Sequence, residues 1–395
     1  MLAACRVCAH PRPELLHASP LEQTLTSESK LRRGRLHIHL CANCAHVMSD
    51  AGGLDDVAGY YGAEYDSLLD SPESDDLYDL DAQGQPVYRS QIQLDNLGRL
   101  ANLPPKGRAL DFGCGKGAFL SRFGRQYPGW ELAGCDVSER YRTFVEPITG
   151  PGRFSVTSLE RAQAPAGPFD LITLFFVAEH LVDPAATLAR VASWLTPAGV
   201  LYLTVPNVMT NTIDAFLADH LSHFSALSLA ALVHRAGLRP LVLSEHHQLG
   251  QLTLMAAADP AVTRRPAARL GGDLVAAYVD AIRSGVARWA ECGARVTAFL
   301  AERPAGHGEL AVYGAGVFGS YLALAAGPAR ESIACFLDQG PFKVGTTHMG
   351  RPVVHPREIP ARVSDVLVGL NPGRARDILA QAGLLDRPRL RLFFP

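Results

Sequence analysis

The sequence predicts an α/β protein: a doubly wound, mainly parallel, Rossmann-like sheet, preceded by a small cysteine-rich module and followed by a second Rossmann-like α/β unit. Three observations carry this. Apolar runs and helical patterns alternate from 107 to 258, two CxxC pairs stand in the first fifty residues, and a second strand–glycine loop–helix pattern begins near 310. Strands that alternate with helices build parallel sheets, because each parallel crossover needs a connecting element long enough to return the chain.

Bulk properties narrow the function classes. At 395 residues the chain has room for two or three domains. With 48% hydrophobic and 19% charged residues it can bury a sizeable core. The formal net charge is −2, and the short run KLRRGR at 30–35 is the one basic cluster, so no nucleic-acid surface is expected. No stretch approaches 18 apolar residues, and no charged segment leads into an apolar one at the N-terminus. Neither a membrane span nor a secretory leader is therefore expected, and a cytoplasmic location with reduced thiols is the default.

Residues 1–50 hold "CRVC" (Cys5, Cys8) and "CANC" (Cys41, Cys44). Two such turns in a reducing compartment point to one tetrahedral zinc ion held by four thiolates, with a disulfide pair as the alternative. A closed set of four thiolates leaves no position for water, so the zinc would be structural, in a module too short for a core of its own. Residues 51–100 open with the acidic, tyrosine-rich "YYGAEYDSLLDSPESDDLYDLD" and continue into the helical pattern "VYRSQIQLDNLGRL"; they read as a lid. The main unit, 101–260, has strands expected at 108–112, 131–136, 169–175, 199–205, 239–244 and 252–257, the last two as an antiparallel hairpin at the sheet edge. Residues 261–395 read as a helical linker to about 303 and then the second α/β unit.

"ALDFGCGKGAFLSRF" places Asp111, Gly113, Gly115 and Gly117 between an apolar strand and a helix. Glycines let the chain turn sharply and let a ligand approach a helix N-terminus. Such a loop alone suits a dinucleotide. Two acids shift the reading. Asp111, at the strand end, can take an ammonium, and Asp136, ending the next strand, can accept from both hydroxyls of a ribose. Cys114 and Cys135, at strand ends, read as small core residues. The stretch "FDLITLFFVAEHLVDPAATLARVASWLTPAGVLYLTVPN" follows, with its Glu179-His180 pair, Asp-Pro turn and L-x-P-x-G-x-L.

These motifs resemble the class I S-adenosylmethionine-dependent methyltransferases over about 150 residues. The cofactor set that the resemblance implies is Asp111, Gly113, Gly115, Gly117, Asp136, Val137, Phe175, Glu179 and His180. Read by themselves, Glu179 and His180 could also be a helix cap and a solvated histidine. The whole chain resembles the sugar C-methyltransferases of deoxysugar biosynthesis, which methylate a nucleotide-linked 4-keto sugar beside its carbonyl. The CxxC pairs, the core, "DHLSHFS" at 219–225 and "LAVYGAGVFGSYLA…CFLDQGPFKVGTTHMGRPVVHP" carry the likeness. In that family an acid–His pair sits at the substrate, and active-site tyrosines precede the core. Here Asp219 stands for the usual Glu and His223 for a common aromatic, and the spacing of Tyr60, Tyr61 and Tyr65 departs from the family's cluster.

The expectation is a methyltransferase for a small molecule, a nucleotide sugar on this resemblance, with His220 as general base. Asp219, His223 and Tyr65 would act beside it, His223 touching substrate. The plainer reading makes 219–225 the capping turn of the next helix, with Ser222 or Ser225 as the cap. An O- or N-methyltransferase of another small molecule is the alternative function. Gly314, Gly316 and Gly319 with Asp338 match a dinucleotide fingerprint, so an NAD site stands as a third reading. The resemblance implies instead that this unit helps hold substrate. Lys343 meets a phosphate or lies in a solvated turn.

Overall fold

The computed structural model describes residues 2–50, 54, 59–65, 75, 77–80, 85–158, 165–247, 250–258, 271–304 and 306–395. Parts of the expected lid (66–74, 76, 81–84) and of the expected linker (261–270) lie outside the described residues.

The N-terminal segment forms β1 (Glu14–Ala18), a small hairpin of β2 (Gln23–Leu25) and β3 (Leu31–Arg33), β4 (His37–Cys41) and β5 (His46–Ser49). β1, β4 and β5 are antiparallel neighbours in one sheet. Its fourth strand is the pair Ser222–His223, which runs antiparallel to β5 with Ser222 opposite Met48 and His223 opposite Val47. The expected module at 1–50 is therefore not closed on itself: its sheet ends on a strand borrowed from the central unit.

A hairpin of β6 (Leu77–Leu80) and β7 (Pro86–Tyr88) leads into α1 (Arg89–Leu100). The central unit follows as β8 (Gly107–Phe112), α2 (Ala118–Gln126), β9 (Trp130–Asp136), α3 (Arg142–Thr149), β10 (Phe154–Val156), β11 (Phe169–Phe175), α4 (Pro184–Ala192), β12 (Leu195–Pro206), β13 (Ser222–His223), α5 (Ala226–Arg235), β14 (Leu238–Ser244) and β15 (Gln251–Ala258). The seven-stranded sheet has the order β10-β9-β8-β11-β12-β15-β14. Every expected strand is present, and the short edge strand β10 was not foreseen. The expected antiparallel hairpin stands at the sheet edge. β15 is antiparallel to both β12 and β14, so the reversed strand sits one place in from the edge and β14 runs with the rest. Chain ends explain this: α5 returns the chain for a parallel strand, and the tight turn after β14 can only lead back antiparallel. The buried strands read as unbroken apolar runs (Leu171, Ile172, Leu174; Leu201, Leu203, Val205) because helices cover both faces. Asp183 caps α4 by accepting from Ala186 N–H at 2.9 Å, and Ser225 with Ser228 forms a capping box on α5.

The long helix α6 (Gly272–Ala301) buries Val275, Val279, Ile282, Val286, Trp289, Cys292 and Val296, a stripe of i, i+3, i+4 spacing. It packs on β1, on the turn Thr212–Phe216 and on the helix of the next unit. No described helix is long and apolar enough to cross a membrane. The C-terminal sheet contains β16 (Glu309–Tyr313), α7 (Val317–Ala325), β17 (Ile333–Leu337), β18 (Thr347–His348), β19 (Arg351–Val354), β20 (Val363–Val368), α8 (Pro372–Gln381) and β21 (Arg391–Phe393), in the strand order β18-β19-β17-β16-β20-β21. One apolar cluster runs from Leu25, Leu36 and Ile38 through Phe216 and α6 to Tyr321 and Phe336, so the first and third sheets share core, while Val7 and Met48 join the first sheet to Leu110 and Ile172 of the central one.

Candidate functional site

The turn after β8 is built for close approach. Gly113 has φ +80°, and a Cβ there would stand 2.3 Å from a Val177 methyl, so only glycine fits. Gly115 N–H donates to Asp136 Oδ2 at 2.9 Å and Val137 N–H to Oδ1 at 2.7 Å. Burial pushes the Asp136 carboxyl up to about 6 against those backbone donors, which pull it down. Gly117, at φ +77°, starts α2.

Asp111 does not stand where it was expected. It is buried behind the turn, its Oδ1 accepting the Thr173 hydroxyl at 2.6 Å, and burial pushes it up to about 7. It forms no part of the cavity wall. In place of a direct hold on an ammonium, the Asp111 carboxyl ties β8 to β11 through Thr173.

In front of the turn lies a cavity of about 740 Å³. The glycine turn and β9 supply Gly113, Gly115, Asp136 and Val137 to its wall, and Phe175 follows at the end of β11. Tyr61, Tyr65, Glu179, His180, Asp214 and His220 line it as well, with Val317, Phe318 and Asn371 from the C-terminal unit. β8, β9 and β11 reach it with their carboxyl ends, the side on which open α/β sheets take ligands.

Asp219 is fully buried and accepts from Ser27 N–H at 2.8 Å, Ser27 Oγ–H at 2.6 Å and Tyr61 O–H at 2.8 Å. It does not meet its neighbour His220, and both its oxygens are engaged within the protein, so the expected choice between orienting a neighbour and binding a substrate hydroxyl resolves to Tyr61. The Tyr61 oxygen also lies 2.5 Å from His180 Nδ1. Tyr65 packs against Tyr61 at a ring separation of 5.0 Å and reaches the cavity.

The carboxylate that meets His220 is Asp214. Its Oδ1 accepts from His220 Nδ1 and its Oδ2 from His223 Nδ1, both at 2.8 Å. Burial would raise Asp214, but the two imidazoles prevail and hold it well below the usual carboxylate range. Burial would lower His220; Asp214, aided by Asp219 and Glu179, outweighs that and lifts it to about 10. This corrects the expectation of a side chain poised near 7. His223 stands behind the site. It lies outside the cavity wall, fully buried between Asp214 and the Ser49 hydroxyl, which stands 3.2 Å from its Nε2. Burial pushes His223 down, so it stays neutral.

Glu179 lies in the cavity wall with 1% of its surface exposed, and its Oε2 has no partner among the described residues. Burial pushes it up to about 8. His180 is pushed down to about 4, again by burial first and by His220 second. Asp214, Ser27 and Ser49 went unnoticed in the sequence; an acid six residues before His220 is the one local signal that could have marked any of them.

The four N-terminal cysteines converge. Cys5 and Cys44 sulfurs lie 3.7 Å apart and Cys8 and Cys41 sulfurs 3.5 Å, with all four within 4.8 Å of one another. None is in a disulfide.

Residues 87–243 match a family model described as a methyltransferase domain. The central unit is a class I S-adenosylmethionine-dependent methyltransferase domain. Among similar proteins, the ubiquinone biosynthesis O-methyltransferase of Hahella chejuensis is 28% identical over 134 residues, 33% of this chain and 56% of that protein. The protein of the same name from Aromatoleum aromaticum is 30% identical over 137 residues, 33% of this chain and 57% of that protein. The chain thus spans a little over half the length of these relatives. A solved S-adenosylmethionine-dependent methyltransferase from Clostridium acetobutylicum ATCC 824 is 12% identical, with a TM-score of 0.35 over 43% of this chain and 90% of that one. The methyltransferase domain accounts for β7 to β14, and the first and third sheets lie outside the matched segment.

Proposed function

We propose that this chain methylates a small molecule at an atom that must first lose a proton, and that the acceptor is the carbon beside the carbonyl of a nucleotide-linked keto-deoxysugar. The observation behind this reading is that the glycine turn with Asp136 and the imidazole of His220 face one cavity. Gly113, Gly115 and Asp136 would hold the cofactor, Asp136 accepting from its ribose, with Val137, Phe175, Glu179 and His180 around it. Bound there, S-adenosylmethionine supplies a methyl group activated by its sulfonium. Once it has lost its own proton, His220 Nε2, the nitrogen left after Nδ1 is given to Asp214, takes the acceptor's proton. The acceptor's electron pair then forms the new bond to the methyl carbon, and the sulfur keeps the electrons of the bond that breaks. Positioning supplies much of the rate for such an in-line displacement.

Four thiolates around zinc at about 2.3 Å stand roughly 3.8 Å apart, close to the sulfur separations found here, whereas a disulfide needs about 2.05 Å. Cys5, Cys8, Cys41 and Cys44 would accordingly hold one structural zinc ion.

O-methylation is the second reading, favoured by the similarity to ubiquinone biosynthesis O-methyltransferases. A phenol near pKa 10 also matches a base lifted to about 10. One assay separates the two: protein, methyl-labelled cofactor, and panels of nucleotide keto-sugars and phenols, with the product mapped by NMR. His220→Asn should cut turnover by about 10²–10⁴, the range for general-base catalysis, with cofactor affinity little changed. Full turnover in that variant means the proton leaves by another route.

A further inference from the structure

We propose that Asp214, rather than the adjoining Asp219, is the positioning acid that orients His220 and fixes its charge. The inference rests on His220 being the base. Asp219 is spent on Ser27 and Tyr61. Asp214 is 3% exposed and gives one oxygen to each of two imidazoles at 2.8 Å. With Nδ1 committed to a carboxylate, His220 keeps a single nitrogen for the acceptor's proton, the relation by which an acid sets the tautomer in hydrolase triads. The groups that face His220 are Asp214, Asp219, Glu179, His180 and His223. Of these, Asp214 alone bonds its ring.

His223 works in the opposite sense. It is neutral, gives its Nδ1 proton to Asp214 Oδ2, and so withdraws negative charge from the oxygen that serves His220. Its far nitrogen lies 3.2 Å from Ser49 Oγ and competes with the His220 carbonyl, 2.5 Å from the same oxygen, for the hydroxyl proton. The base, its acid and the second imidazole are thereby anchored to β5. The two histidines at the start of a helix are one device: the first faces the cavity and the second moderates the acid behind it.

The test is the pH dependence of kcat/KM in Asp214→Asn and His223→Phe, on the acceptor found above. In wild type the rate should climb with pH as the His220 proton is lost. Asp214→Asn removes the charge that holds that proton, so its rising limb should move down by roughly one to three pH units. Its plateau should fall about 10²–10⁴-fold as the ring loses its orientation. His223→Phe leaves the acid whole and should move the limb up. Variants are compared only if they bind S-adenosylhomocysteine as wild type does; if Asp214→Asn does not, the direction of the His223→Phe shift decides. Limbs that stay put in the folded variants, while His220→Asn is inactive, overturn the role of Asp214 alone. A fully active His220→Asn overturns the reading of the base.

Discussion

Asp136 carries two tasks on one carboxylate. Its oxygens hold Gly115 N–H and Val137 N–H, which shapes the glycine turn, and the same group faces the cavity. Removing it in Asp136→Ala should cost about 1.5–3 kcal/mol of cofactor binding, as for hydrogen bonds to a charged acceptor. That is roughly a ten- to hundredfold loss of affinity for S-adenosylhomocysteine by calorimetry. Equal affinity in wild type and variant would place the cofactor elsewhere. Asp136 was legible in the sequence because a strand, a glycine turn and a second strand ending in an acid are local features of fixed order. Asp214 was not. Its carboxylate acts on residues six and nine positions ahead through a short turn, and a turn leaves no periodic trace. Ser27 and Ser49 are further from reach, since each meets the site across more than 170 positions of chain.

At the scale of elements, β5 and β13 decide how the first sheet serves the second. Arg6, between Cys5 and Cys8, donates to the carbonyls of Ser49 and Leu221, so the cysteine turn clamps the strand that follows His220. A structural zinc contributes on the order of 10–16 kcal/mol in small modules that do not fold without it. Chelation should therefore loosen β4, β5 and β13 together. Expected outcomes are about one zinc per chain by metal analysis, faster hydrogen exchange at 46–49 and 220–225 after chelation, and loss of turnover. S-adenosylhomocysteine affinity should change by less than about tenfold, because Gly115 and Asp136 belong to the central sheet. A metal-free protein with unchanged exchange at those segments would falsify the assignment. The strands of the central sheet were readable because burial on both faces makes them continuous apolar runs. β13 was not, for two residues carry no pattern and their pairing is set by residues 47 and 48.

The whole molecule brings the N-terminal hairpin, the central unit and the C-terminal unit to one cavity, and this bears on the glycine turn of the third. By pattern, Gly314, Gly316, Gly319 and Asp338 suit a dinucleotide. The structure uses them inward. A Cβ on Gly319 would stand 1.9 Å from the Gly314 carbonyl oxygen, so this glycine serves close backbone packing. Asp338, the acid a ribose would need, accepts from Ala315 N–H at 3.0 Å and Gly340 N–H at 2.8 Å. Lys343 lies across the turn, its ammonium donating to the Ala315 carbonyl at 2.8 Å. The start of α7 then presents Val317 and Phe318 to the shared cavity. A nicotinamide dinucleotide would have to displace the lysine before gaining bonds of its own. NADH should accordingly show no saturable binding at tens of micromolar, whereas S-adenosylhomocysteine should bind in the same buffer. A fluorescence titration with NADH checks this, and a saturating signal that survives Asp136→Ala but is lost in Gly316→Val would assign the third sheet a nucleotide of its own.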